Sequence, residues 1–237
     1  MNSDMAGQGQ GMRMKEFFPE LLDSFSGMDF IGSVCEKYHY DERDLRQLQA
    51  VAEEMLSLMR GEACWEVCPQ WEDAVGETDA VCEGVVITLG VSLDRLQDSY
   101  HEKGLLTESY MLEVLASELL LQSYRAYNRS VRETRGVHVA RYHFPGSEKN
   151  LPLEMLPNIL NRFSIPVSCN EAFCMLPKKS VVFLAELTRD EKVQCEGICV
   201  GCGNSRCSNR IEEGVRMERM STDMPLTYGY RRIFGKW

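Results

Sequence analysis

The run Cys195-Glu-Gly-Ile-Cys199-Val-Gly-Cys202-Gly-Asn-Ser-Arg-Cys207 gathers four thiols and three glycines into one short stretch. Thiolates are soft ligands, and four so close together can converge on a single metal. The glycines permit positive-φ turns that aim backbone N–H groups at coordinated sulfur. Three chemistries are open to Cys195, Cys199, Cys202 and Cys207. An iron–sulfur cluster would pass an electron, a four-thiolate zinc would pin a loop, and unligated thiols would respond to oxidant. The spacing is not that of the common bacterial ferredoxin motif, but the two-residue gap between Cys199 and Cys202 makes a turn that either metal accepts.

The rest of the chain sets limits on that chemistry. It has 237 residues, a net charge of −10 and ten cysteines, with a pI near 5.0. No basic stripe is available to displace counterions from phosphates, so nucleic acid is not an expected partner. No apolar run reaches membrane-spanning length, and the polar, Gly-rich opening residues lack the apolar stretch of a signal peptide. A cytoplasmic location is expected, where scattered cysteines serve as small buried hydrophobes. Cys35, Cys82, Cys169 and Cys174 belong to that group; Cys64 and Cys68 have ligand-like spacing but no partner pair nearby.

Hydrophobic periodicity places the supporting elements. Helical spacing is expected over 14–25, from Asp41 or Asp44 to Gly61, over 92–100, over 107–132 and over 151–163, with a partly helical stretch at 211–220. Residues 85–90, 137–144 and 180–185 read as strands, and 63–67 alternates weakly. His138 and His143 are an odd number of residues apart on one predicted strand, so they are expected on opposite faces and not as joint metal ligands. Strands and helices alternate without an even βαβ rhythm, which favours an α+β fold with an antiparallel sheet.

The order of these pieces carries a resemblance. Val86-Ile-Thr-Leu-Gly90, the long helix at 107–132, the Phe144-Pro145-Gly146 turn, Leu151-Pro-Leu-Glu154 and Met175-Leu-Pro-Lys-Lys-Ser-Val181 together resemble the activation domain of vitamin B12-dependent methionine synthase. The match spans roughly residues 80 to 210. It is most similar to short stand-alone relatives ending in a Cys-x2-Cys-x4-Cys-x2-Arg signature, as at Cys199, Cys202, Cys207 and Arg210. The resemblance implies a curved antiparallel sheet with flanking helices and binding of S-adenosylmethionine. It also implies a role in restoring methylcobalamin on an oxidised corrinoid, with flavodoxin-like electron supply. The chain has no Asp-x-His-x-x-Gly motif to ligate cobalt, so the corrinoid would arrive on a cobalamin-dependent methionine synthase or another corrinoid partner.

The implied ligand-binding residues are Arg141, Tyr142, Pro145 and Gly146. The family pattern Arg-x-x-x-Gly-Tyr meets Arg141-Tyr-His-Phe-Pro-Gly146-Ser147 here. Either Arg141 lies one residue too far from Gly146, or Tyr142 stands in the arginine's place; Ser147 replaces the tyrosine in both alignments. The acidic residue that the family carries in its long helix has Leu121 or Gln122 near its place. The expected organisation is a disordered lead over 1–12, an N-terminal helical part over 13–80, an activation-domain-like core over 81–190 and a cysteine-rich, metal-binding segment over 191–237. The alternative function is a metal-binding adaptor of a corrinoid system that does not take S-adenosylmethionine.

Anaerobic purification with iron, sulfide and zinc analysis distinguishes the three thiol chemistries. A brown protein with iron–thiolate charge-transfer absorption is the expected outcome for an electron-passing role. A colourless protein with a single zinc per chain would remove that role.

Overall fold

The computed structural model describes residues 15–25, 27–69, 71, 81–193, 195 and 198. In chain order the elements are β1 (Lys15–Glu16), α1 (Pro19–Phe25), α2 (Met28–Lys37), α3 (Leu45–Met59), β2 (Cys64–Cys68), β3 (Val81–Thr88), α4 (Ser92–Glu102), α5 (Leu106–Arg135), β4 (His138–His143), α6 (Leu156–Leu160), β5 (Ser168–Cys169), β6 (Met175–Leu176) and β7 (Ser180–Thr188). Five strands form one sheet in the order β1-β2-β3-β7-β4, and β5 and β6 form a small hairpin. Every strand pairing is antiparallel. The expected α+β class with an antiparallel sheet is therefore what the chain adopts. The lead over 1–12, the helical stretch at 211–220, and Cys199, Cys202 and Cys207 all lie outside the described residues.

The centre of the sheet is covered on both sides. On one face Trp65, Val85, Ile87, Phe183, Ala185 and Leu187 join a core with residues of α1 to α5. On the other, Cys64, Cys82, Val86, Val182 and Leu184 pack with Trp71, Leu156, Ile159, Leu160 and Phe163 around α6. Adjacent residues of a strand point to opposite faces, so a strand covered on both faces needs apolar residues at nearly every position. This is why Val85-Val86-Ile87 and Val182-Phe183-Leu184 are continuous apolar runs. At Gly84 the indole of Trp71 approaches so closely that an added Cβ would lie 2.8 Å from its ring. Arg162 covers that indole from outside, 3.8 Å from the ring centroid.

Residues on the two sides of position 80 share one structure. β2 pairs with β3 along its full length, and α1, α2 and α3 contribute to the same core as α5. Three local elements differ from the periodicity reading. The first helix starts only at Pro19, because Lys15–Glu16 forms an edge strand against Trp65 and Cys64. There the indole N–H of Trp65 donates to the Glu16 carbonyl at 3.0 Å. Helix α2 was not expected, since Gly32 and Ser33 interrupt its pattern, yet Phe30, Ile31, Val34 and Cys35 are buried. The helix over 151–163 is instead a 3-10 turn at Leu153–Met155 followed by five residues of α6.

A carboxylate fastens the α6 side to the sheet. Glu66 of β2 is completely buried. Its oxygens accept from the Ser164 N–H at 2.9 Å, the Ser164 hydroxyl at 2.9 Å and the Ile165 N–H at 2.8 Å. Burying a charge is costly unless hydrogen bonds replace its water, and here the turn after α6 supplies them. Glu66→Ala would leave two backbone donors unsatisfied and is expected to cost about 2–5 kcal/mol in chemical denaturation. A loss below about 1 kcal/mol would show that water replaces the carboxylate.

Candidate functional site

The site is built on β4 and the turn that follows it. Val139 pairs with Leu187, but the next pair is Arg141 with Glu186, leaving Ala140 as an extra residue in the ladder. Such a bulge places two residues opposite one and reverses the alternation beyond it. Register therefore assigns His138, Arg141 and His143 to the face of Thr188, Glu186 and Leu184, and Val139 and Tyr142 to the helical face. The expectation that His138 and His143 occupy opposite faces is corrected by this extra residue. The two still diverge in contacts, because His138 Nε2 lies 2.9 Å from the Val193 carbonyl.

The two candidate ligand-binding side chains are neighbours on β4 beyond the bulge, so ordinary alternation sends them to opposite faces. Tyr142 is buried, with its ring 5.6 Å from that of Tyr124 and 5.4 Å from that of Phe183. Its hydroxyl donates to the Tyr124 carbonyl at 3.2 Å. Burial pushes that hydroxyl well above the ordinary phenol range, with Cys195 the next cause. Arg141 lies on the other face with 39% of its side chain exposed, and its Nη2 is 3.9 Å from Glu148 Oε1.

His143 ties this corner together. Its Nδ1 is 2.8 Å from Glu148 Oε1 and its Nε2 is 3.4 Å from Glu186 Oε2, with only 3% of the side chain exposed. Glu186 also faces Cys82 across the β3–β7 ladder. Pro145 is half-buried and Gly146 is exposed. The Gly146 N–H donates to the Leu151 carbonyl at 2.7 Å, and the Ser147 N–H donates to the Phe144 carbonyl at 3.0 Å. Gly146 has φ +84°, a conformation that strains residues with a Cβ. The chain curls at that point and carries Glu148 back toward Arg141. Glu148 and Glu186 carry no signal in the sequence, and His143 reads there only as an ordinary strand residue. Their convergence depends on the β4–β7 register, which has no spacing signature, and on the turn at Pro145–Gly146, whose path back to Arg141 is not written in its residues.

A buried charge group on the opposite face holds α5 against β3. Glu83 accepts from Arg135 Nη1 at 2.8 Å and Nη2 at 2.6 Å, and from the Tyr127 hydroxyl. Those bonds hold the Arg135 guanidinium above its ordinary value, against a smaller opposing effect of burial. Near the place where an acidic residue was sought in the long helix, Glu118 is buried. It accepts from the Tyr38 hydroxyl at 2.8 Å and pairs with Lys37, which commits it to α2.

Of the four clustered thiols, Cys195 alone falls among the described residues; it is half-buried. It packs against the helical core, the face that also takes Tyr142. Among the described residues no three His, Cys, Asp or Glu side chains are grouped to hold a metal ion. Nor is any described helix long and apolar enough to cross a membrane.

No family model matches the chain. No curated protein matches it either. Among solved structures it is similar to one described as the crystal structure of the MetH reactivation domain bound to AdoHcy. The identity is 14%, the match covers 78% of this chain and 81% of that one, and the TM-score is 0.49.

Burial governs the remaining cysteines. It pushes the Cys64 thiol up to about 11 and the Cys82 thiol up to about 12, because a thiolate without water is disfavoured. Cys174 is exposed. At pH 8, iodoacetamide read by peptide mass spectrometry should modify Cys174 at least about 100-fold faster than Cys64 or Cys82. Equal rates would mean that the α6 side opens on the labelling timescale.

Proposed function

We propose that this chain is an activation-domain-like protein that binds an S-adenosyl ligand and supports reductive remethylation of cobalamin held by a partner methyltransferase. The observation that supports this reading is a partly exposed arginine, Arg141, on the strand that leads into the Phe144-Pro145-Gly146 turn. Arg141 is reachable from solvent, and its guanidinium matches an amino-acid carboxylate in charge and fork geometry. In this reading Arg141 and the Pro145–Gly146 turn would hold the ligand, while Tyr142 has its hydroxyl engaged by the Tyr124 carbonyl. When bound, the sulfonium would supply a transferable methyl group. The chain's part is to orient the ligand and present it to the corrinoid partner. Electrons would come from a flavodoxin-like donor. The Cys195, Cys199, Cys202 and Cys207 run, as an iron–sulfur or zinc site, would be a second contribution of this chain.

A second reading has its own observation. Arg141 already faces the carboxylates of Glu148 and Glu186, as expected of an adaptor whose arginine serves its own fold. Calorimetric titration separates the two. Micromolar S-adenosylmethionine binding that weakens by about 10-fold or more on Arg141→Ala supports the ligand-binding reading. Absence of heat at millimolar ligand supports the adaptor.

A further inference from the structure

We infer that Glu148 is an internal competitor for Arg141, and that it sets how strongly the site accepts a ligand carboxylate. The inference rests on the reading that Arg141 receives the amino-acid end of an S-adenosyl ligand. One oxygen, Glu148 Oε1, lies 2.8 Å from His143 Nδ1 and 3.9 Å from Arg141 Nη2. The carboxylate has little freedom to move aside. The imidazole that grips it is buried and is itself held from the far side by Glu186. The backbone of Glu148 bridges to Leu151, with the Leu151 N–H donating to the Glu148 carbonyl at 3.1 Å. Glu148 therefore holds a carboxylate at ion-pair distance from the guanidinium, on a support made by the sheet and the turn.

An incoming carboxylate must displace this group or share the arginine with it. Both routes lower affinity, because like charges near one guanidinium repel and the arginine's hydrogen-bond capacity is finite. A ligand without a carboxylate meets no such opposition. Glu148 thus discriminates against the amino-acid end and leaves the adenosine end unaffected.

The test is calorimetry on the full chain with S-adenosylhomocysteine and with 5′-methylthioadenosine, which lacks the amino-acid portion. Glu148→Gln keeps an acceptor for His143 and removes the charge. It should tighten S-adenosylhomocysteine by about 5- to 10-fold and change 5′-methylthioadenosine by less than about 2-fold. Glu154→Gln removes an exposed charge from the 3-10 turn at Leu153–Met155, and should leave both affinities as they are. In the Glu148→Gln background, Arg141→Ala should abolish the gain.

If the wild-type chain binds and Glu148→Gln gives no gain, or if both ligands tighten equally, the competitor role is overturned while the ligand site stands. If neither wild type nor Glu148→Gln binds either ligand, the ligand site itself has failed and this inference with it. Should Glu148→Gln melt below the assay temperature, Glu148→Asp replaces it, since it keeps the charge but withdraws it from the guanidinium. That variant should give a smaller gain confined to S-adenosylhomocysteine, and no gain overturns the role.

Discussion

Burial of β3 and β7 on both faces is the constraint from which the rest of the structure follows. Where the sheet is covered on both faces a polar side chain has no water to turn to, so it must find its partners inside the protein. Glu66 and Glu83 show the two solutions. On the α6 side, Glu66 is satisfied by the backbone and hydroxyl of the turn at Ser164 and Ile165. On the helical side, Glu83 is satisfied by a forked guanidinium and a phenol, both from the last three turns of α5. Each carboxylate joins the sheet to the layer above it at a defined point. Removing the partners of either carboxylate would leave a buried group unsatisfied, which is costly.

Much of this architecture was legible in the sequence, for a physical reason. Continuous β-branched runs and long stripes of helical period reflect burial directly, so β3, β7, α3 and α5 stand out. The elements that did not stand out are held by tertiary contacts alone. β1 is two residues long and exists because Trp65 takes its backbone carbonyl and the Lys15 ammonium lies 4.3 Å from the indole centroid. α2 carries Gly32 and Ser33 at positions where a helix loses propensity, and the packing of Phe30, Ile31 and Val34 outweighs that loss.

The candidate site was legible only in part. Arg141 and the Pro145–Gly146 turn could be found because motif order survives as spacing along the chain. The carboxylates around Arg141 could not, since Glu148 arrives through a turn and Glu186 through cross-strand register. Sequence offered two alignments for the arginine's place. The ladder puts Arg141 and Tyr142 on different faces, the first beside carboxylates and the second among aromatic rings.

The extra residue at Ala140 makes strand length, more than residue identity, the variable that decides what β4 displays. Restoring simple alternation by removing one residue there would keep every other side chain of the strand and exchange inside for outside over the stretch before it. For this strand, insertion and deletion are therefore chemically larger changes than most replacements. A related chain lacking only Ala140 would exchange the faces of His138 and Val139 while Arg141, Tyr142 and His143 kept theirs.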